Sequence, residues 1–231
     1  AAQTDREDGG QCIAPAEGVK SVRYAFVFSL CWAVAAAALA LWWQRGGDLA
    51  GLGLAPPSDR GDLIVLALGV GLGALMVADL RRILRSAPAR ADARRQIEPL
   101  ASLLPHDRRD LTAFRGVALT AGITEEVVYR GWLLALWIPL MGPWLAVPLA
   151  GLFFGVAHLY QGTVGVLRSG GFGLVTGALF AVTGNLWGLI VAHTVVDLMG
   201  GELAWRLLGS GQGEGGASPS PEGEQPGADT S

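Results

Sequence analysis

Long apolar runs alternate with short polar breaks along most of this chain, and the runs have the length of helices rather than strands. The first, Tyr24–Trp43, carries no charged residue between Arg23 and Arg45, and about 20 apolar residues are what a helix needs to cross a bilayer. Ala55-Pro56-Pro57-Ser58-Asp59 then breaks the chain, and Leu63–Ala78 is a second charge-free run, short but extendable. From Leu80 to Asp110 the chain turns polar, which predicts a solvated or surface-lying loop. A third span is predicted over Leu111–Pro139, a fourth over Trp144–Leu159, a fifth over Leu167–Thr183 and a sixth over Leu186–Leu208. Between them lie the breaker clusters Pro139…Gly142-Pro143, Tyr160-Gln161-Gly162 and Gly184-Asn185. The pattern predicts an all-α, polytopic transmembrane helix bundle of about six spans over residues 24–208. A polar leader, residues 1–23, precedes it. The tail, 209–231, is Gly, Ser, Pro and Glu with almost nothing to bury, and is expected to be disordered.

Composition agrees with lipid as the solvent. Apolar residues make up 51% and charged residues 16% of the 231, against about 25% charge in ordinary soluble domains. A net charge of −3 and the lack of a basic patch interleaved with aromatics exclude nucleic acid as a partner. Cys12 and Cys31 are the two cysteines, too few for a disulfide framework or a thiolate metal site. The leader lacks the short basic start of a signal peptide, and the first run is long for a cleavable one, so a retained span is expected.

Eight of the seventeen Lys and Arg residues lie between the second and third spans: Arg81, Arg82, Arg85, Arg90, Arg94, Arg95, Arg108 and Arg109. The positive-inside rule puts this 80–110 segment in the cytoplasm, and six crossings put both termini there too. Arg6, Lys20, Arg23, Arg168 and Arg206 agree, while Arg45 and Arg60 dissent. The expectation is a multi-pass protein of the plasma membrane. Among 34 glycines, Gly69, Gly71, Gly73, Gly173 and Gly177 fall inside spans. Gly173-Leu-Val-Thr-Gly177 reads as a packing seam, since small residues let helices approach closely in lipid.

The informative residues are polar ones within the apolar spans. Glu125, Glu126 and Arg130 fall in the third, His158 in the fourth, and His193 and Asp197 in the sixth. A central Asp, Lys or Arg costs about 2.5–3.5 kcal/mol on insertion scales, and such residues usually turn inward and serve function. Residues four apart share a helix face, so Glu126 and Arg130 are expected to form an ion pair. Glu125 projects about 100° away, has no local cation, and is the candidate general base. His158, His193 and Asp197 complete one shared polar site between spans three, four and six.

Three motifs then give a specific resemblance. Glu125-Glu126-Val-Val-Tyr-Arg130 looks like the EExxxR motif of the CPBP family of intramembrane peptidases, the CAAX-protease-like group. Phe154-Gly-Val-Ala-His158 looks like its FxxxH, and His193-Thr-Val-Val-Asp197 like its HxxxN/D. The resemblance covers about residues 111–200; before that, only Leu52-Gly53-Leu54 and general hydrophobicity match. It implies an intramembrane endopeptidase that cleaves a membrane-associated protein or peptide, lipidated or not, within a polar cavity. Glu125 would then activate water with His158 as partner, His193 and Asp197 would face the oxyanion, and Glu126 with Arg130 would support the cavity. An ionised Asp197 cannot donate a hydrogen bond as the family's Asn does, which leaves its role open. No cofactor is expected, because HExxH is absent. The alternative is zinc held by Glu125, His158, His193 and Asp197. Two other function classes fit intramembrane charges: a proton- or ion-coupled transporter, for which no internal repeat speaks, and a catalytically silent immunity or scaffold protein.

Overall fold

The computed structural model describes residues 17–209. The leader up to residue 16, Cys12 and the expected disordered tail from residue 210 lie outside the described residues. Among the described residues eight α-helices follow one another: α1 Glu17–Gln44, α2 Arg60–Arg85, α3 Ala87–Ile97, α4 Arg108–Glu126, α5 Ala135–Met141, α6 Pro143–Ala157, α7 Gly162–Thr183 and α8 Trp187–Leu208. The third predicted span is α4 and α5 joined without a break through a π-helical stretch, Val127–Leu134. No strand occurs among the described residues. By length and composition, three helical runs suffice to cross a membrane: Lys20–Gln44, Arg60–Arg85 and Leu159–Thr183, with the apolar α6 shorter. The acids and arginines of α4 and α8 dilute the hydropathy of those two helices.

The helices pack as α1 on α4, α4 on α8, α8 on α2, and α6 on α7. Small residues set the spacing. A Cβ on Gly69 would come within 2.5 Å of the Gly188 carbonyl, and one on Gly188 within 2.6 Å of the Val65 backbone, so α2 and α8 touch backbone to backbone. Gly173 and Gly177 form part of a seam between α6 and α7, where a Cβ on Gly173 would lie 3.2 Å from the Gly151 Cα. The apolar core gathers Leu134, Ala146, Leu186 and Leu189. Leu52, fully buried, plugs one end of the bundle. There the Gly53 carbonyl accepts the Leu186 N–H at 2.9 Å, with Gly53 at φ +79°, where a side chain would be strained.

The helix ends fall into two groups. Ala55 accepts from Asn185 Nδ2 and Trp187 Nε1 at 3.1 and 3.0 Å, joining the α1–α2 loop to the start of α8. At the other end, Lys20 Nζ lies 3.4 Å from Asp110 and donates to the Leu104 carbonyl. Arg94 caps the Leu207 carbonyl at 3.2 Å, and Arg168 bonds Gln96 at 3.1 Å. The starts of α1, α4 and α7, the end of α8 and the arginine-rich segment therefore share one end.

Two expectations need correction. The 80–110 stretch is mostly helical: α2 runs on to Arg85, α3 follows, and a 3-10 segment spans Glu98–Leu103. Ser86 accepts the Ala89 N–H as N-cap, with Pro88 in the first turn. Ala89, Ala93 and Ile97, spaced by four, give α3 a half-buried face despite its arginines. His158 lies at the C-cap of α6, not within it, because the helix ends at Ala157.

Candidate active site

Glu125 and Glu126 end α4 and point to different places. Glu126 is fully buried. Its Oε1 accepts from Arg130 Nη1 at 3.0 Å and from His193 Nδ1 at 2.8 Å. Gly122, one turn earlier, allows this meeting: any side chain there would collide with Thr194, so the α8 backbone closes on α4 and delivers His193. Arg130, also buried, donates to Thr176 Oγ1 on α7 at 2.6 Å and lies over the Phe154 ring, 4.5 Å from its centroid. Each charged side chain in this layer thus has at least one partner, as the cost of burying a charge demands, while Glu126 Oε2 accepts no hydrogen bond.

The Glu125 side chain is 24% exposed and borders a cavity of about 610 Å³ shared with His158, Asp197, Tyr160 and Tyr24. His193 Nε2 stands 3.8 Å from Glu125 Oε2 and 3.7 Å from Asp197 Oδ2, too far for direct hydrogen bonds. Glu125 Oε2 has no hydrogen-bond partner. His158 makes no ion pair with Glu125 among the described residues. Its Nδ1 lies 2.8 Å from the Phe154 carbonyl, which can only accept, so Nδ1 carries hydrogen and Nε2 is the remaining ring nitrogen. The same argument at the Glu126 carboxylate assigns a hydrogen to His193 Nδ1 and leaves Nε2 toward the two outer carboxylates. Among the described residues no three His, Cys, Asp or Glu side chains converge as a metal site.

The structure therefore brings Glu125, Glu126, Arg130, His193 and Asp197 into one cluster and sets His158 on the wall of the same cavity. Some of its participants were given no role in the sequence analysis. Thr176 holds Arg130 from α7. Phe154 is a ring hub, edge-on to Tyr129 at 5.0 Å and tilted against His158 at 4.7 Å. The first helix, expected only to be hydrophobic, supplies Lys20, Tyr24 and Phe26 to the cavity. A lone Thr beside the Gly173–Gly177 seam was the available signal for Thr176, since polar residues at such seams often bond across helices.

Residues 108–199 match the family model described as type II CAAX prenyl endopeptidase Rce1-like. Over this stretch, under half of the chain, the sequence is similar to that protease family. A human protein named CAAX prenyl protease 2 is 35% identical over 98 residues, covering 35% of this chain and 30% of that relative. The matched part thus spans under a third of the relative's length. No solved structure matches. The similarity to a protease family thus falls on a helical chain with three runs long and apolar enough to cross a membrane.

Proposed function

We propose that the protein hydrolyses a peptide bond in a membrane-associated protein, using water activated by Glu125. One observation carries this reading: of two adjacent glutamates, Glu126 is held inside the protein by Arg130 and His193 through Oε1, whereas Glu125 lines the cavity. Glu125 and Asp197 bring carboxylate acceptors, and His193 its Nε2 edge, into one space whose gaps of 3.7–3.8 Å exceed hydrogen-bond length. A molecule that supplies hydrogens fits there, and water does.

In this reading Glu125 takes a proton from water as its oxygen attacks the substrate carbonyl. With both ring nitrogens protonated, His193 donates Nδ1–H to Glu126 and Nε2–H to the developing oxyanion. Asp197 orients that imidazolium, a role open to an ionised carboxylate. Collapse of the tetrahedral intermediate breaks the C–N bond, and the proton held by Glu125 passes to the leaving amine. His158, with Nδ1 fixed, accepts a hydrogen bond from the water through Nε2. The mechanism is metal-independent, and the substrate is a protein or peptide of the membrane surface, lipidated or not.

The test is Glu125→Gln, which keeps size and hydrogen-bonding capacity. Loss of a general base is typically worth about 10²–10⁴-fold in rate. Comparison of membrane proteomes from cells carrying the two forms should show a cleavage product that disappears with the variant. Near-normal turnover by Glu125→Gln would remove Glu125 from the chemistry.

A further inference from the structure

Several side chains that line the cavity are also strongly exposed: Val22 at 69%, Phe26 at 65%, Val27 at 38% and Tyr160 at 64%. A side chain does both only where the cavity opens. Val22, Phe26 and Val27 lie at the start of the first membrane-crossing helix, so the opening faces sideways into the bilayer. The cavity thus joins lipid at one side to Glu125 at the other.

Arg23 sits at this mouth. It lines the cavity, is exposed, and makes no hydrogen bond or ion pair among the described residues. Its neighbour Lys20 differs, being buried against Asp110 and the Leu104 carbonyl. Arg23 also marks the polar boundary of the first apolar run, the depth at which lipid phosphates lie. A guanidinium without a counter-charge, over an apolar cavity open to the bilayer, matches the two parts of a phospholipid. The phosphate takes the guanidinium's paired donors, and an acyl chain takes the apolar wall.

We propose that this mouth is a phospholipid-binding site, with the headgroup phosphate on Arg23 and one acyl chain along Val22, Phe26 and Val27. The bound lipid occupies the sideways route to Glu125, and a substrate entering by that route displaces it. The binding does not depend on the peptidase reading.

The test is native mass spectrometry of the full chain in detergent micelles, titrated with dioleoylphosphatidylglycerol and, separately, with diolein, which lacks the phosphate. The wild type should bind the phospholipid roughly tenfold more tightly, the equivalent of one charge-assisted contact. Arg23→Gln should bind the two alike, and Arg23→Lys should keep part of the preference. Arg81→Gln, in the arginine-rich segment and outside the cavity lining, should behave as wild type. A preference that survives Arg23→Gln, or one lost in Arg81→Gln, overturns the assignment. Because the readout is bound lipid and not hydrolysis, it stands or falls separately from the role of Glu125.

Discussion

Glu125 and Glu126 differ by one position and about 100° of helix, and that rotation separates an acid at the cavity from one locked inside the protein. The pairing of Glu126 with Arg130 was legible, since a four-residue spacing puts both on one face. The second partner of Glu126 was not. His193 is 67 residues away, and its arrival depends on how closely α8 approaches α4 at Gly122, which no local pattern encodes. Removing Arg130 alone leaves Glu126 a buried charge with one donor fewer, and breaking a buried pair costs about 3–5 kcal/mol. Arg130→Ala should therefore lower the melting temperature of the purified protein sharply. Adding Glu126→Gln to it should restore part of the loss, because the second change removes the uncompensated charge. If the two losses simply add in thermal melts, the residues are not coupled.

Among the elements, α3 shows where a hydrophobicity pattern misleads. Its arginines made the stretch read as a loop, although Ser86 and Pro88 are a helix-start signal and Ala89, Ala93 and Ile97 recur at helical spacing. Alanine is too small to register as an apolar face beside Arg90, Arg94 and Arg95. The apolar helices, by contrast, were read in the right order and place, although α1 starts and α2 ends seven residues beyond the apolar runs, because charged residues continue a helix past the apolar stretch that a bilayer requires. Clustering of the arginine-rich segment with the starts of α1, α4 and α7 and the end of α8 supports the proposal that this end is cytoplasmic. A cysteine at the outward-facing Ala91, in a chain lacking Cys12 and Cys31, should resist an impermeant thiol reagent in intact cells and react once they are opened. Labelling from outside would reverse the orientation.

At the scale of the whole molecule, the site is assembled by helices distant in sequence: Glu125 from α4, His158 from the end of α6, His193 and Asp197 from α8, with α1 as a wall. A zinc ion shared among these helices would need them docked to within about 0.2 Å of ideal ligand distances, whereas water activation tolerates hydrogen-bond reach or one bridging water. The purified protein should accordingly keep its activity after extensive chelation and contain far less than one equivalent of zinc by elemental analysis. Activity lost on chelation and regained with zinc would make Glu125, His158, His193 and Asp197 ligands. The bond from His193 to Glu126 also bears on how the protein is made. While the ribosome is still synthesising α5 to α7, the glutamate pair is already made, but His193 and Asp197 have not yet been translated. On the proposed mechanism a nascent chain therefore lacks hydrolytic competence until its last helix is made, and gains it with completion of the bundle.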